Sequence, residues 1–210
     1  MRTRRYGSEA TFVDKLAPGE PSILREVLLN AVATAGVQVR DIVPAADTLV
    51  VTHDSVDAAA IERVVAESFN ALGCLTRETT SDTARLVEIP VRYDGEDLQY
   101  IAELASLSVE EIISLHSGGE YLAEFFGFAP GFSYLSGLPD ALHFARRSTP
   151  RTRVPAGAVA IAAGYCAVYP RESPGGWHLL GTTSLVMWDA ARASPATLEP
   201  GTRVRFVRVD

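Results

Sequence analysis

Residues 154–170 read VPAGAVAIAAGYCAVYP and carry no charged side chain over seventeen positions. A membrane helix needs about 20 apolar residues and would not carry Pro155, Gly157 and Gly164 at that spacing. Short apolar runs broken by Gly and Pro are typical of buried strands joined by turns. The stretch therefore predicts strands in the core of a folded protein, and we expect that protein to be soluble and cytoplasmic.

Short apolar runs separated by glycine and proline also occur on both sides of this stretch. Further short strands are predicted over residues 121–127, 159–163, 167–169, 177–181, 185–188 and 202–209. Many short strands with frequent turns are typical of a closed barrel or of a sandwich. A strand over 85–93 and two helices precede them, the second helix opening on a capping box at Ser108–Glu111. Residues 85–210 are thus predicted to form a mainly β domain.

Residues 1–84 follow a different pattern, with strands and helices in alternation. We predict a strand over 11–16, a helix from Pro21 to Gly36, strands over 37–43 and 48–52, and a helix over 58–72. In the first helix the apolar face is predicted to hold Ile23, Val27, Leu28 and Ala31. This order matches a ferredoxin-like α+β domain, with a polar linker at Thr76–Asp82.

The overall charge excludes some classes of partner. The net charge is −7 and the isoelectric point about 5.1, so we expect neither nucleic acid nor anionic membrane as a partner. Lys15 is the one lysine against eighteen arginines, and guanidinium groups bind carboxylates and phosphates at two points. Cys74 and Cys166 lack the spacing of a metal site, so we expect no metal ligands; we interpret them as buried free thiols, with a single disulfide bridge as the alternative.

Three stretches of the second half have the composition of a binding site. The stretch 127–139 (GFAPGFSYLSGLP) combines glycine, proline and aromatic residues, and 146–157 (RRSTPRTRVPAG) holds four arginines within eight residues. The third, 169–181 (YPRESPGGWHLLG), places two glycines before Trp177. The arginines indicate an anion site or a solvated, ion-paired loop. The glycine pair indicates either a nest of backbone amides or a tight hairpin.

His116 ends the capped helix, where a cation would favour the helix C-terminus, and this is a sufficient structural explanation for it. An imidazole titrates near neutrality, so an acid–base role is a second interpretation. The sequence contains no nucleophile elbow, no Walker phosphate loop and no Rossmann glycine pattern.

Taken in order, the stretches GFAPGFSYLSGLP, PRTRVPAGAVAIAA (150–163) and YPRESPGGWHLLG resemble one family, the B subunits of 5-oxoprolinase, also labelled allophanate hydrolase subunit 1. A relative of this family is an inhibitor of a sporulation kinase. The resemblance implies that 85–210 is a cyclophilin-like β-barrel. It also implies two partners, a larger C subunit and a separate A subunit. The implied cofactor for opening 5-oxoproline to glutamate is ATP, with Mg²⁺ at the level of the complex.

The resemblance suggests roles for particular residues. We expect His116 and Arg151 to be catalytic. The candidate substrate-binding residues are Arg146, Phe132, Tyr134, Pro155, Gly175, Gly176 and Trp177. Alone, the chain would be inactive and would form a homodimer through the face that the C subunit covers. Three other functions remain open: allophanate hydrolase subunit 1, an inhibitor that binds a sensor histidine kinase, and a purely structural partner of the C subunit.

Overall fold

The computed structural model describes residues 1–17, 19–54, 57–72 and 85–210. The chain divides into two compact units, residues 1–81 and 82–210. The proposed linker Thr76–Asp82, the proposed boundary after residue 84 and Cys74 lie outside the described residues.

The first unit is one antiparallel sheet packed against two helices. Its elements are β1 (Arg2–Arg5), β2 (Ala10–Asp14), α1 (Glu20–Ala35), β3 (Val39–Pro44), β4 (Leu49–His53) and α2 (Ala58–Leu72). The strands are ordered β1-β2-β4-β3, and each neighbouring pair is antiparallel. Both helices and the strands β2, β3 and β4 agree with the sequence prediction to within about two residues at each end. Strand β1 was not predicted, because its four residues are polar or charged throughout.

The buried face of α1 differs from the predicted one. Leu24, Leu28 and Val32 are buried, whereas Ile23 is exposed. The correct face repeats every four residues, and the predicted face was displaced from it by about one residue. Helix α1 ends where expected, at Gly36, whose φ of 67° ends the helix in the left-handed region.

The second unit is built on a seven-stranded sheet. Its strands and helices are β5 (Leu86–Val91), α3 (Leu98–Ala105), α4 (Val109–Gly118), β6 (Tyr121–Phe126), β7 (Ser133–Ser136), β8 (Arg151–Val154), β9 (Ala158–Ala162), β10 (Tyr165–Val168), β11 (Ser173–Gly175), β12 (His178–Thr182) and β13 (Arg203–Arg208). The sheet order is β12-β9-β10-β7-β6-β13-β5, and β8 pairs separately with β11.

The seven-stranded sheet curves into a nearly closed barrel. Its two edge strands meet where Arg92 and Thr182 exchange backbone hydrogen bonds of 2.9 and 2.8 Å. Gly181 permits this contact, because a Cβ there would lie 2.2 Å from the carbonyl oxygen of Arg92. Of the two architectures predicted for this half, the barrel is therefore the one present.

The barrel interior is filled by large apolar side chains. Ile89, Val159, Ile161 and Val204 point inward from the strands, and residues of α3 and α4 complete the same core. Helix α4 has the predicted capping box: the Glu111 amide donates to Ser108 Oγ, and the Glu111 carboxylate accepts from the Ser108 amide.

Two predictions for the second unit are wrong. Residues 185–188 form no strand and contribute only an isolated bridge between Trp188 and Ala196. Strands β7 and β8 were missing from the predicted strands. No helix in the described part of the chain has both the length and the apolar character needed to cross a membrane.

Candidate functional site

The candidate site lies on the face of β9 and β10 that points away from the barrel interior. Side chains alternate along a strand, so Val159 and Ile161 fill the barrel while Ala158, Ala160 and Ala162 face outward. These alanines form a floor of small side chains. The larger rings of Phe132, Tyr134, Tyr165, Tyr169 and Trp177 pack over that floor, with Ala129, Val154, Ala167 and Leu179.

Aromatic rings enclose a small cavity of about 70 Å³. Its lining is Phe128, Phe132, Tyr134, Arg146, Tyr169, Gly175, Gly176 and Trp177, and we call it the aromatic cavity. The Trp177 ring meets Phe132 and Tyr134 edge to face, with 5.6 Å between centroids in both pairs. Such pairs add stability beyond their buried area and fix ring orientation. The three stretches singled out in the sequence therefore meet around one hollow.

Phe128 lies at the mouth of the aromatic cavity in an unusual conformation. It is 59% exposed, and its φ of 64° is in the left-handed region that bulky residues rarely adopt. Its ring packs against Phe132 at 5.1 Å and Tyr169 at 6.2 Å. Backbone strain of this kind persists only where the surroundings hold it, and it clusters at functional sites.

The glycine pair shapes the opposite wall of the aromatic cavity. A Cβ on Gly175 would lie 2.2 Å from the hydroxyl oxygen of Tyr169, so no other residue fits there without moving the ring. Gly176 is less crowded, with its nearest neighbour, the Arg147 carbonyl oxygen, 3.6 Å from a built Cβ. The Gly176 carbonyl oxygen accepts a 2.8 Å hydrogen bond from the Arg147 amide. Gly175 ends β11, which pairs with β8, whereas β12 pairs with β9, so the glycine pair links two separately paired strands and forms no tight hairpin.

A larger groove of about 690 Å³ lies beside the aromatic cavity. Its lining is Asp97, Tyr100, Leu104, Phe144, Ala145, Arg146, Arg147, Ser148, Thr149 and His178, and we call it the α3 groove. Arg146 borders both spaces, and its guanidinium carbon lies 6.0 Å from the centroid of the Trp177 ring. The neighbours Trp177 and His178 face different spaces, as expected for adjacent residues of an extended segment.

A buried carboxylate organises the arginine cluster. Asp97 accepts hydrogen bonds from Arg147 Nη1 at 2.7 Å, Arg151 Nη2 at 2.8 Å and the Leu179 amide at 2.8 Å. Its side chain is 4% exposed. Burial alone would raise the pKa of Asp97, but the hydrogen bonds from Arg151 and Leu179, with the charges of both arginines, hold that pKa below its usual value.

The structure changes the interpretation of Arg151. Besides Asp97, its Nε donates to Glu96 at 3.2 Å, and Arg151 borders neither the aromatic cavity nor the α3 groove. Its partners are carboxylates of the protein, as in the ion-paired interpretation of the arginine stretch. No local pattern pointed to Asp97, which stands where a helix cap is expected but makes no side-chain capping bond.

His116 is remote from both spaces. It is completely buried, with Nδ1 2.8 Å from Tyr93 Oη and Nε2 3.2 Å from Cys166 Sγ. Burial lowers the pKa of His116 to about 3. The interpretation of His116 as a cation at the end of a helix is therefore wrong, and a sealed, neutral imidazole is not positioned for acid–base chemistry on a ligand.

Of the nine proposed site residues, six border the aromatic cavity: Phe132, Tyr134, Arg146, Gly175, Gly176 and Trp177. Pro155 instead lies exposed in the turn between β8 and β9. Tyr169 and Phe128 also border the aromatic cavity but were not proposed individually. Phe128 belongs to the stretch 127–139 and Tyr169 to the stretch 169–181. Among the described residues no group of three acidic, His or Cys side chains converges to hold a metal ion.

Comparisons with known proteins give a consistent result. The family described as carboxyltransferase domain, subdomain C and D, matches residues 1–198. The B subunit of 5-oxoprolinase from Escherichia coli O157:H7 is 47% identical over 133 residues, and that from Bacillus subtilis strain 168 is 44% identical over 128 residues. These alignments cover 62% and 60% of this chain and 61% and 53% of the relatives. The chain thus spans about three fifths of the curated relatives it matches, or less.

Solved structures extend the similarity over the whole chain. The crystal structure of TTHA0988 superimposes with a TM-score of 0.75 and 36% identity, covering 100% of this chain and 40% of that one. The K. lactis urea amidolyase reaches a TM-score of 0.75 at 16% identity, covering 99% of this chain and 15% of that one. At that identity the second likeness concerns the fold alone.

Proposed function

Because this chain belongs to the carboxyltransferase domain, subdomain C and D, family and is similar to the B subunits of 5-oxoprolinase, we propose that it is one component of a heteromeric 5-oxoprolinase. The complex would open 5-oxoproline to glutamate with hydrolysis of ATP. Its other members would be a larger C subunit and a separate A subunit.

The observation that carries this proposal is the incompleteness of the aromatic cavity. Pockets that enclose small molecules usually measure about 300–1,000 Å³, whereas this one measures about 70 Å³ and has an exposed phenylalanine at its mouth. A wall of five aromatic residues and a guanidinium, too small to enclose a ligand, is what half of a composite site would contribute. The second polypeptide would supply the other half.

The substrate suits this lining. 5-Oxoproline has a flat five-membered amide ring with a carboxylate on it. The rings of Phe132, Tyr134 and Trp177 offer faces and edges against which such a ring can pack. Arg146 carries a charge that no described carboxylate neutralises and would pair with the substrate carboxylate.

The reaction also suits a composite site. A ring amide is a poor electrophile, and ATP supplies the phosphoryl group that converts its oxygen into a leaving group. The aromatic cavity is too small for a nucleotide, so its residues do not fit ATP. In this proposal the role of this chain is to bind the substrate carboxylate, orient the substrate ring and exclude water.

We propose a finer description of the fold on the same basis. In the first unit, β1 takes the sheet position beside β2 that the last strand of a ferredoxin-like domain would occupy. In the second, the nearly closed barrel plugged by α3 and α4 is consistent with a cyclophilin-like barrel.

Reconstitution tests the proposal. The A and C subunits are purified and mixed with this chain, and glutamate and ADP are measured with 5-oxoproline and ATP. Omission of this chain is expected to abolish glutamate formation, and this chain alone is expected to form none. Undiminished turnover without it would contradict the proposal and would favour a role outside the enzyme, such as docking on a sensor kinase.

A further inference from the structure

We propose that the α3 groove is a binding site for a phosphate group carried on a flat or apolar body, distinct from the aromatic cavity. The groove measures about 690 Å³, within the usual range of small-molecule pockets of about 300–1,000 Å³. The inference does not rest on the proposed function, because it concerns binding by this chain alone, in which Arg146, the residue that borders both spaces, has no substrate carboxylate to pair with.

The charges of the groove are unbalanced. Arg146, Arg147 and Arg151 carry three positive charges, and the two carboxylates in contact with this group are those of Asp97 and Glu96. Asp97 is buried and shared between two arginines, and Glu96 pairs with Arg151, which does not border the groove. Arg146 forms no ion pair among the described residues. An anion in the groove would therefore meet a net positive charge.

The donors are grouped as a phosphate requires. Residues 146–149 read RRST and all four line the groove. The hydroxyls of Ser148 and Thr149 are exposed and hydrogen-bond to none of the described residues. Two guanidinium and two hydroxyl groups can serve the three terminal oxygens of a phosphate, whereas a carboxylate offers two.

The donor segment is fixed in place before any ligand arrives. The Arg147 amide donates to the Gly176 carbonyl at 2.8 Å, and His178 Nε2 donates to the Ala145 carbonyl at 2.9 Å. These bonds tie the segment to the start of β12 at two points. A preorganised loop loses little conformational entropy on binding.

The apolar wall of the α3 groove indicates the kind of group to which the phosphate is attached. Tyr100 and Leu104 on α3 are about half exposed, and Phe144 lines the same groove. His178 beneath them is 4% exposed, and its ring lies 5.9 Å from the Tyr100 ring. A flat or apolar ligand body would pack against the exposed side chains of this wall.

Calorimetric titration of the full chain tests the proposal. The probes are inorganic phosphate, phenyl phosphate and acetate. We expect phenyl phosphate to bind more tightly than inorganic phosphate because its ring packs against the apolar wall, and acetate to bind at least about tenfold more weakly than either. Equally tight binding of inorganic phosphate and phenyl phosphate would contradict the inference that the ligand has a flat or apolar body. Acetate binding of equal strength, or no binding of either phosphate, would overturn the site.

Variants locate the site. Ser148→Glu places a negative charge in the groove without touching the Asp97 cluster, and is expected to abolish phenyl phosphate binding. Arg147→Gln should weaken binding about tenfold or more, and Arg147→Lys should restore part of it. Arg153→Gln is the matched control, because Arg153 belongs to the same stretch but pairs with Glu172 on the surface. Unchanged binding by Ser148→Glu with a native circular dichroism spectrum, or equal loss in the control, would overturn the proposal.

Discussion

The barrel interior and the aromatic cavity use similar side chains for opposite purposes. In the interior, His116 packs 4.5 Å from Phe206 and 5.5 Å from Tyr121, and every ring in that group is sealed from solvent. In the cavity, the rings of Trp177, Phe132 and Tyr134 pack with centroids 5.1–5.6 Å apart, and the exposed Phe128 and Arg146 border the same space. The two regions thus share aromatic side chains but differ in their access to solvent and in their charge.

That difference explains why a histidine was the wrong candidate and an arginine remains a good one. The nature of a titratable side chain does not give it a function, because burial can hold it in one protonation state. Burial lowers the pKa of His116 to about 3 in the interior, whereas the Arg146 guanidinium is exposed and borders the aromatic cavity. A functional group needs both reactivity and a path to the ligand.

The largest expected effect on stability comes from replacing Asp97, the buried carboxylate that pairs with Arg147 and Arg151. Asp97→Asn removes the charge that neutralises Arg147 and Arg151, and should lower the free energy of unfolding by about 2–4 kcal/mol at pH 7. Arg147 is one third exposed, so solvent keeps the loss from exceeding this range. Urea denaturation measures it.

The pH dependence of that loss identifies its cause. Because the pKa of Asp97 is lowered in the folded state, its stabilisation is complete above the unfolded value of about 3.9 and is lost as pH falls through the folded pKa. The difference between wild type and Asp97→Asn should therefore shrink below about pH 4. Glu172→Gln, which breaks an exposed pair, should cost less than about 1 kcal/mol. A pH-independent difference for Asp97 would contradict the electrostatic explanation.

The second effect concerns the interior. His116 has a folded pKa of about 3, against about 6.5 in an unfolded chain. Its neutral form therefore stabilises the fold above pH 6.5, and this contribution falls as the pH drops towards 3. At pH 5 the linked loss is about 2 kcal/mol.

Replacement by glutamine isolates this contribution. Between pH 6.5 and 4, the stability of His116→Gln should decline less steeply with falling pH than that of the wild type, by up to about 1.4 kcal/mol per pH unit. In the reconstituted complex its turnover, per folded molecule, should match the wild type. Parallel slopes, or a selective loss of turnover, would show that His116 is not the sealed neutral group described here.

A smaller effect is expected at the wall of the aromatic cavity. Gly175→Ala forces the Tyr169 ring away from its site and should cost about 1–2 kcal/mol of stability. It should also reduce turnover of the complex, because the cavity wall moves. Gly118→Ala, at the end of α4 with open space around it, is the control. Equal behaviour of the two variants would contradict a specific role for the Gly175 contact.

Much of the fold could be predicted from local pattern. The helices had apolar periodicity and strong end signals, such as Gly36 and the capping box at Ser108. Strands β1 and β8 could not be predicted, because their residues are mostly arginine and threonine and only backbone pairing with β2 and β11 shows that they are strands. Residues 185–188 have the composition of a strand, but they make only an isolated bridge.

The site could be predicted in part, for a related physical reason. Glycine, proline and aromatic residues mark where the chain turns tightly around rings, so the three stretches identified the aromatic cavity. Ion pairs between distant positions leave no local signal. Asp97 and Arg151 are fifty-four positions apart, and only the folded chain shows that the arginine chosen for catalysis already has carboxylate partners.

The most direct test of the central claim, that the aromatic cavity with Arg146 is a working half-site, is the turnover of the reconstituted complex with Arg146→Gln. Arg146 is exposed and forms no ion pair with any described residue, so its loss should change the free energy of unfolding by less than about 0.5 kcal/mol. We expect turnover to fall by about tenfold or more, while Arg153→Gln stays at the wild-type rate. Wild-type turnover from Arg146→Gln would contradict the claim.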